Sequence, residues 1–82
     1  MSRVVTVTAL EDYSLEVIFE DGVRGVICLK DRLFGLMFEP LLDKVQFGKV
    51  FVDEFGAVAW ANGADLAPDA LYERIRTLTP AK

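Results

Sequence analysis

The sequence predicts an α+β domain: an antiparallel sheet of about five strands in the order β-β-β-(short helix)-β-β-α, folded in two layers. Three observations lead there. Period-2 alternation of apolar and polar residues recurs in short segments, "RVVTVTAL", "SLEVIFE", "FGKVFVD" and "AVAWA". Glycine-containing turn pairs separate those segments, and a stripe of helical period follows Pro68 near the C-terminus. At 82 residues the chain is read as a single domain, 1–82, with no linker, repeat or low-complexity tract.

In "RVVTVTAL" the alternation puts Val5, Val7 and Ala9 on one face and Thr6 and Thr8 on the other. After turn-like residues Glu11–Tyr13, "SLEVIFE" sets Leu15, Val17 and Phe19 against Ser14, Glu16 and Glu20. Asp21-Gly22 is a two-residue hairpin signal, because glycine tolerates positive φ, and "VRGVICL" returns as the third strand. Cys28, between Ile27 and Leu29, is expected to be a small buried hydrophobe, since a reactive thiol needs an exposed electropositive setting.

The middle segment "KDRLFGLMFEPLLDKVQF" has no period-2 pattern and reads as one or two short helical pieces across the sheet. Asp31 is a candidate cap, Gly35 weakens the first piece, and Pro40 restarts the chain in a second. Its apolar residues exceed what one narrow stripe needs. The domain's own core has first claim on them, and Phe34, Leu36, Met37 and Phe38 form the candidate partner surface.

Val50 and Val52 then share a strand face opposite Phe51, "EFG" makes a turn, and Val58 and Trp60 lie side by side on the next strand. Asn62-Gly63 marks a further turn, Pro68 opens a helix, and Leu71, Tyr72, Ile75 and Leu78 form its apolar stripe, with Pro80 as its stop. Asp69, Glu73, Arg74 and Arg76 fall on the outer face, acids before bases, as the helix dipole prefers.

Several chemistries are excluded. With no histidine, a single chain cannot build a Ser-His-Asp or Cys-His relay, and with one cysteine it cannot form the usual zinc sites or an internal disulfide. No phosphate loop or dinucleotide fingerprint occurs. No catalytic, cofactor-binding or metal site is therefore assigned, and no cofactor is expected. A net charge of −4, with nine dispersed basic residues, argues against direct nucleic-acid contact and fits a basic protein partner better. The nearest basic cluster, Arg74, Arg76 and Lys82, is explained more simply by the helix dipole. No apolar run reaches the roughly 18 residues a membrane span needs. The N-terminus lacks a signal peptide's apolar block, so a cytoplasmic location is expected.

Two constellations admit a second reading. Asp53, Glu54, Asp65 and Asp69 could converge to hold a cation or to act as an acid–base pair. Turn and helix-start roles account for them more simply. Trp60 and Tyr72 could stack on a ligand, whereas their phase with Val58 and Leu71 favours a core contact between sheet and helix. Asp65 stays open between capping the turn before the helix and facing a partner.

Taken in order, "LEVIFEDG", "LLDKVQFGKVFVDEFGAVAW" and "NGADLAPDALYERI" resemble the small bacterial family called domain of unknown function 2442, over nearly the whole chain. The resemblance is carried by Leu15, Val17, Phe19, Asp21 and Gly22, by Leu42, Asp43 and Phe47, and by Trp60, Asn62, Gly63, Asp65, Leu66, Pro68, Asp69, Leu71 and Tyr72. Ala61 stands where the family often has proline, and Cys28 where it often has an acid. The resemblance implies three strands, a helical excursion, two strands and a helix. It brings no catalytic residues. It also implies a setting beside another small co-encoded protein, in pairs that look like toxin–antitoxin modules. Some relatives carry a C-terminal helix-turn-helix, a route to DNA not expected for this chain. The resulting expectation is a non-enzymatic protein-binding module, antitoxin-like, for a co-encoded small protein. The alternatives are a self-associating accessory protein or, further off, a carboxylate-based enzyme or small-ligand binder.

Overall fold

The computed structural model describes residues 3–78. The expected stop at Pro80, Lys82 of the basic cluster and the side chain of Leu78 lie outside what is described. The chain is α+β, but its strands form two three-stranded antiparallel sheets rather than one sheet of five. The first is β1 (Val4–Leu10), β2 (Ser14–Phe19) and β3 (Arg24–Cys28), and the second is β4 (Phe51–Val52), β5 (Val58–Ala59) and β6 (Asp65–Leu66). Strand β6 was not expected, because two residues beside the Asn62-Gly63 turn are too few to carry an alternation.

The alternation of β2 holds: Leu15, Val17 and Phe19 are buried, and removing each from water contributes about 1.5–3 kcal/mol. On β1 it fails at one point. Val4 is buried and Val5 is exposed, because the register slips between Val4 and Thr6, so that two β1 residues oppose one on β2. This β-bulge turns Val5 outward and puts Val4 beside Phe19, while Val7 and Ala9 keep the expected face. Cys28 is exposed rather than buried, because it lies on the outer face of β3, opposite Ser14, and Ile27 takes the inward position.

Three hairpins share one turn. The amide of Phe19 donates to the Val23 carbonyl at 2.8 Å and that of Gly22 to Phe19 at 2.9 Å; the same pair of bonds joins Asp53, Gly56 and Ala57, and again Trp60, Gly63 and Ala64. Each loop thus has three residues, not two, and ends on a glycine at positive φ (92°, 78° and 97°). In each an Asx side chain closes the turn: Asp21 accepts from the Val23 amide, Asp53 from Phe55 and Ala57, and Asn62 from Ala64. At the second turn Gly56 also seals the two sheets together. The Val4 amide donates to the Gly56 carbonyl at 3.0 Å, and a Cβ on Gly56 would fall 2.5 Å from Arg3 Cβ.

The middle segment is built of single turns. Two 3₁₀ turns, Lys30–Arg32 and Glu39–Leu42, precede α1 (Lys44–Phe47). Asp31 is not a cap: it sits inside the first turn, which starts at Leu29 without a side-chain cap. Pro40 does fall at the start of the second turn, as its second residue, and Asp43 caps α1, its side chain accepting from the Val45 amide at 2.9 Å. The terminal helix α2 (Pro68–Leu78) packs against β3, burying Leu71 and Ile75 into one core with Leu15, Val17, Phe19, Ile27, Val58 and Trp60.

The meeting of β3 and α2 depends on a missing side chain. A Cβ at Gly25 would lie 2.7 Å from Ile75 Cγ2 and 3.2 Å from Cγ1, closer than packed carbons approach. Gly25→Ala is therefore expected to lower unfolding free energy by about 1 kcal/mol, overpacking outweighing the gain in chain stiffness. In an Ile75→Ala background the same change should be neutral or stabilising. Urea unfolding of the four chains measures both, and equal effects in the two backgrounds would remove the contact from the account.

Candidate functional site

The residues that sequence put forward as a partner surface form a displayed loop. Leu33 is buried and anchors its start. Phe34 is then 73% exposed, Leu36 93% and Met37 44%, and Phe38 turns half back into the molecule against the Trp60 ring, at 6.3 Å between centroids. Gly35 at φ 87° makes the reversal, and the Glu39 amide donates to the Gly35 carbonyl at 2.9 Å.

What holds this loop is the third hairpin. The Asn62 side chain faces both ways: its Oδ1 accepts from the Ala64 amide at 3.0 Å, and its Nδ2 donates to the Met37 carbonyl at 2.9 Å. A Cβ on Gly63 would meet Met37 Cε at 2.8 Å, so the Met37 side chain rests on the hairpin tip. Underneath, the Trp60 indole N–H donates to the Phe47 carbonyl at 2.9 Å, a buried bond that ties α1 to the second sheet. The Phe47 ring lies 5.8 Å from Trp60, and Tyr13 meets it edge-on at 5.4 Å. Trp60 and Tyr72 are core residues with separate neighbours. The Tyr72 ring stands edge-on to Phe19 at 4.9 Å, its hydroxyl donates to Asp21 Oδ2 at 2.6 Å, and Arg76 lies 5.8 Å over its face.

The four acids have roles in different elements. Asp53 closes the second turn, and Glu54 is exposed at its tip, with its carbonyl accepting from the Arg3 guanidinium. Asp65 is exposed on β6, paired with Ala59. Ala67 stands in the cap position, its carbonyl accepting from the Leu71 amide, and Asp69 is exposed in the first helical turn. Among the described residues no group of three or more acids or thiols is gathered in a way that would hold a metal ion, and no helix is long and apolar enough to cross a membrane.

Of the clefts among the described residues, two border the β1–β2 connection and the displayed loop. One of about 490 Å³ is lined by Ala9 to Tyr13 together with Lys44, Phe47 and Gly48. Its wall contains Asp12 and Tyr13 at φ 61° and 58°, a conformation unusual for side-chain-bearing residues. The Tyr13 ring explains the second of these: its hydroxyl donates to the Leu42 carbonyl and its edge packs on Phe47, so the first sheet is tied to the middle segment. The other cleft, about 260 Å³, lies between Leu29, Arg32, Leu33, Phe34, Phe38 and Leu66. It opens beside the displayed loop.

A family model described as "Protein of unknown function (DUF2442)" matches residues 4–77. The chain belongs to this family. No curated protein and no solved structure matches it. The DUF2442 signature residues seen in the sequence now have physical duties. Asp21, Gly22, Asn62 and Gly63 build hairpin turns, Phe19, Trp60 and Tyr72 hold the core, Pro68 starts α2, and Asp65 pairs within the second sheet. Sequence reading missed Asn62 as the loop's anchor, because a turn asparagine signals its acceptor role but not where its spare amide donor goes. Arg32 and Leu66 were missed as cleft residues, since they are far apart in sequence and meet only through the fold.

Asn62→Asp keeps the oxygen that closes the hairpin and removes the donor to Met37. Amides of residues 35–39 are expected to exchange with deuterium about 2- to 10-fold faster in this variant, the equivalent of one net hydrogen bond. Unchanged exchange across the loop would show that Asn62 does not hold it.

Proposed function

We propose that this DUF2442 protein is a non-enzymatic protein-binding module whose contact face is the loop Phe34–Phe38. The observation that carries the reading is the near-complete exposure of Leu36 and Phe34 on a backbone fixed by the Asn62 and Glu39 hydrogen bonds. A frayed segment would expose apolar residues at no particular cost to the fold. Here buried Leu33 and half-buried Phe38 hold the loop at both ends, so large apolar side chains are presented to solvent in a defined arrangement. Such presentation is what partner surfaces use, with apolar anchors losing water on contact. An acidic chain of net charge −4 favours a basic partner through long-range attraction. The partner in this reading is a small co-encoded protein, masked or regulated in the manner of an antitoxin, in the cytoplasm of a bacterium. Self-association through the same loop is the alternative.

The test is co-expression with the product of the adjacent gene, followed by size-exclusion chromatography. Co-elution is expected for the native chain and is expected to disappear with Leu36→Asp. An exposed position of this kind changes stability by no more than about 0.5 kcal/mol, so the thermal midpoint serves as the control. Separate elution of the native proteins would contradict the reading, and a concentration-dependent dimer of this chain alone would transfer the loop to self-association.

A further inference from the structure

The cleft beside the loop carries a more specific identity for what it takes. Its lining combines Leu29 and Leu33, which flank the first 3₁₀ turn, Phe34 and Phe38 from the loop, and Leu66 from β6. Arg32 is the one charged residue among them. Its side chain makes no hydrogen bond or ion pair with the described residues, whereas Arg24 pairs with Glu16 at 2.9 Å and Arg3 reaches the Glu54 carbonyl. An apolar hollow with one uncommitted guanidinium fits an apolar group that carries a carboxylate, because a guanidinium forks naturally onto two carboxylate oxygens.

Size and surrounding charge narrow the choice. At about 260 Å³ the hollow falls below the roughly 300–1,000 Å³ of sites that enclose a whole small molecule, and it suits one large side chain. Asp31 and Asp65, exposed and adjacent in sequence to Arg32 and Leu66, lie outside the lining and disfavour a run of acids. A single carboxylate attached directly to an apolar residue avoids that repulsion. Strand β6 is also the last in the order β4-β5-β6, so among the described residues one of its sides has no strand neighbour along which an extended chain would otherwise be blocked. We infer that the cleft is a docking site for the C-terminal residue of a partner polypeptide, its large apolar side chain filling the hollow and its terminal carboxylate held by Arg32. This rests on the protein-binding reading and names the part of the partner that is recognised.

The test titrates the ¹⁵N-labelled full chain with acetyl-Gly-Ser-Gly-Phe as the free acid, with the same peptide as its C-terminal amide, and with octanoate. The expected result is saturable shifts of the Leu29, Leu33, Phe34 and Leu66 amides with the free acid. Binding at least about tenfold weaker is expected for the amide and for Arg32→Met, with part of it restored in Arg32→Lys. Absence of saturable shifts at those residues, or equal binding of acid and amide, would overturn the inference. Octanoate binding as tightly as the peptide would overturn the assignment to a chain terminus in favour of a free acid. Leu36 lies outside the cleft lining. A partner lost on Leu36→Asp with no peptide binding therefore overturns this inference alone, and no partner at all overturns the reading beneath it.

Discussion

The hydrogen bond from the buried Trp60 indole to the Phe47 carbonyl is the interaction on which the rest of this structure depends. The second sheet is made of two-residue strands, too short to stand by their own ladder. The middle segment has no helix longer than four residues. Neither would persist alone, since an isolated helical turn gains too little to offset the ordering of its backbone. Trp60 solves both problems from one position. Its ring fills the space between α1 and the loop, against Phe47 and Phe38, and its N–H satisfies a carbonyl at the end of α1 that burial would otherwise leave unpaired. Tyr13 extends the same cluster to the first sheet, at the cost of a left-handed backbone.

The displayed surface follows from what this core leaves outside. With Leu33, Leu41 and Phe47 directed inward and Phe38 half-buried against Trp60, Phe34 and Leu36 are put out to solvent. The loop is nevertheless fixed, because the hairpin that presents Trp60 to the core also presents Asn62 to the Met37 carbonyl. One strand-turn-strand unit therefore stabilises the fold from inside and sets the displayed surface from outside. The repeated turn has a similar economy. The same three-residue loop with its Asx closure reverses the chain after β2, β4 and β5, and its second copy also joins the two sheets through Gly56.

Much of this was legible in the sequence, and the failures have physical causes. The faces of β2, the start of α2 at Pro68 and the burial of Trp60 follow from periodicity and turn chemistry that nothing in the fold opposes. Val5 was misplaced because a bulge moves every residue before it to the other face, and a bulge at a valine leaves no mark in composition. Cys28 was misplaced because "VICL" is apolar throughout, so alternation could not choose its inward set. One sheet was expected where there are two, since strand signals carry no record of which edges meet. Asp65 was open between a turn role and a partner-facing one, and its place on a two-residue strand could not be read because so short a strand carries no alternation. Of the candidate surface, the exposed character of Phe34, Leu36 and Met37 could be sensed as an apolar surplus. The cleft could not, because Leu29, Arg32 and Leu66 come together only after the second sheet closes on the first 3₁₀ turn.

Whether the indole N–H holds the middle segment to the second sheet is measured by urea unfolding of Trp60→Phe followed by far-UV circular dichroism. The substitution keeps an aromatic ring in the core and removes the donor, leaving the Phe47 carbonyl buried without its partner. The expected loss is at least about 1–3 kcal/mol, the cost of that unpaired group, with the smaller ring adding to it. An unfolding midpoint equal to that of the native chain would contradict it.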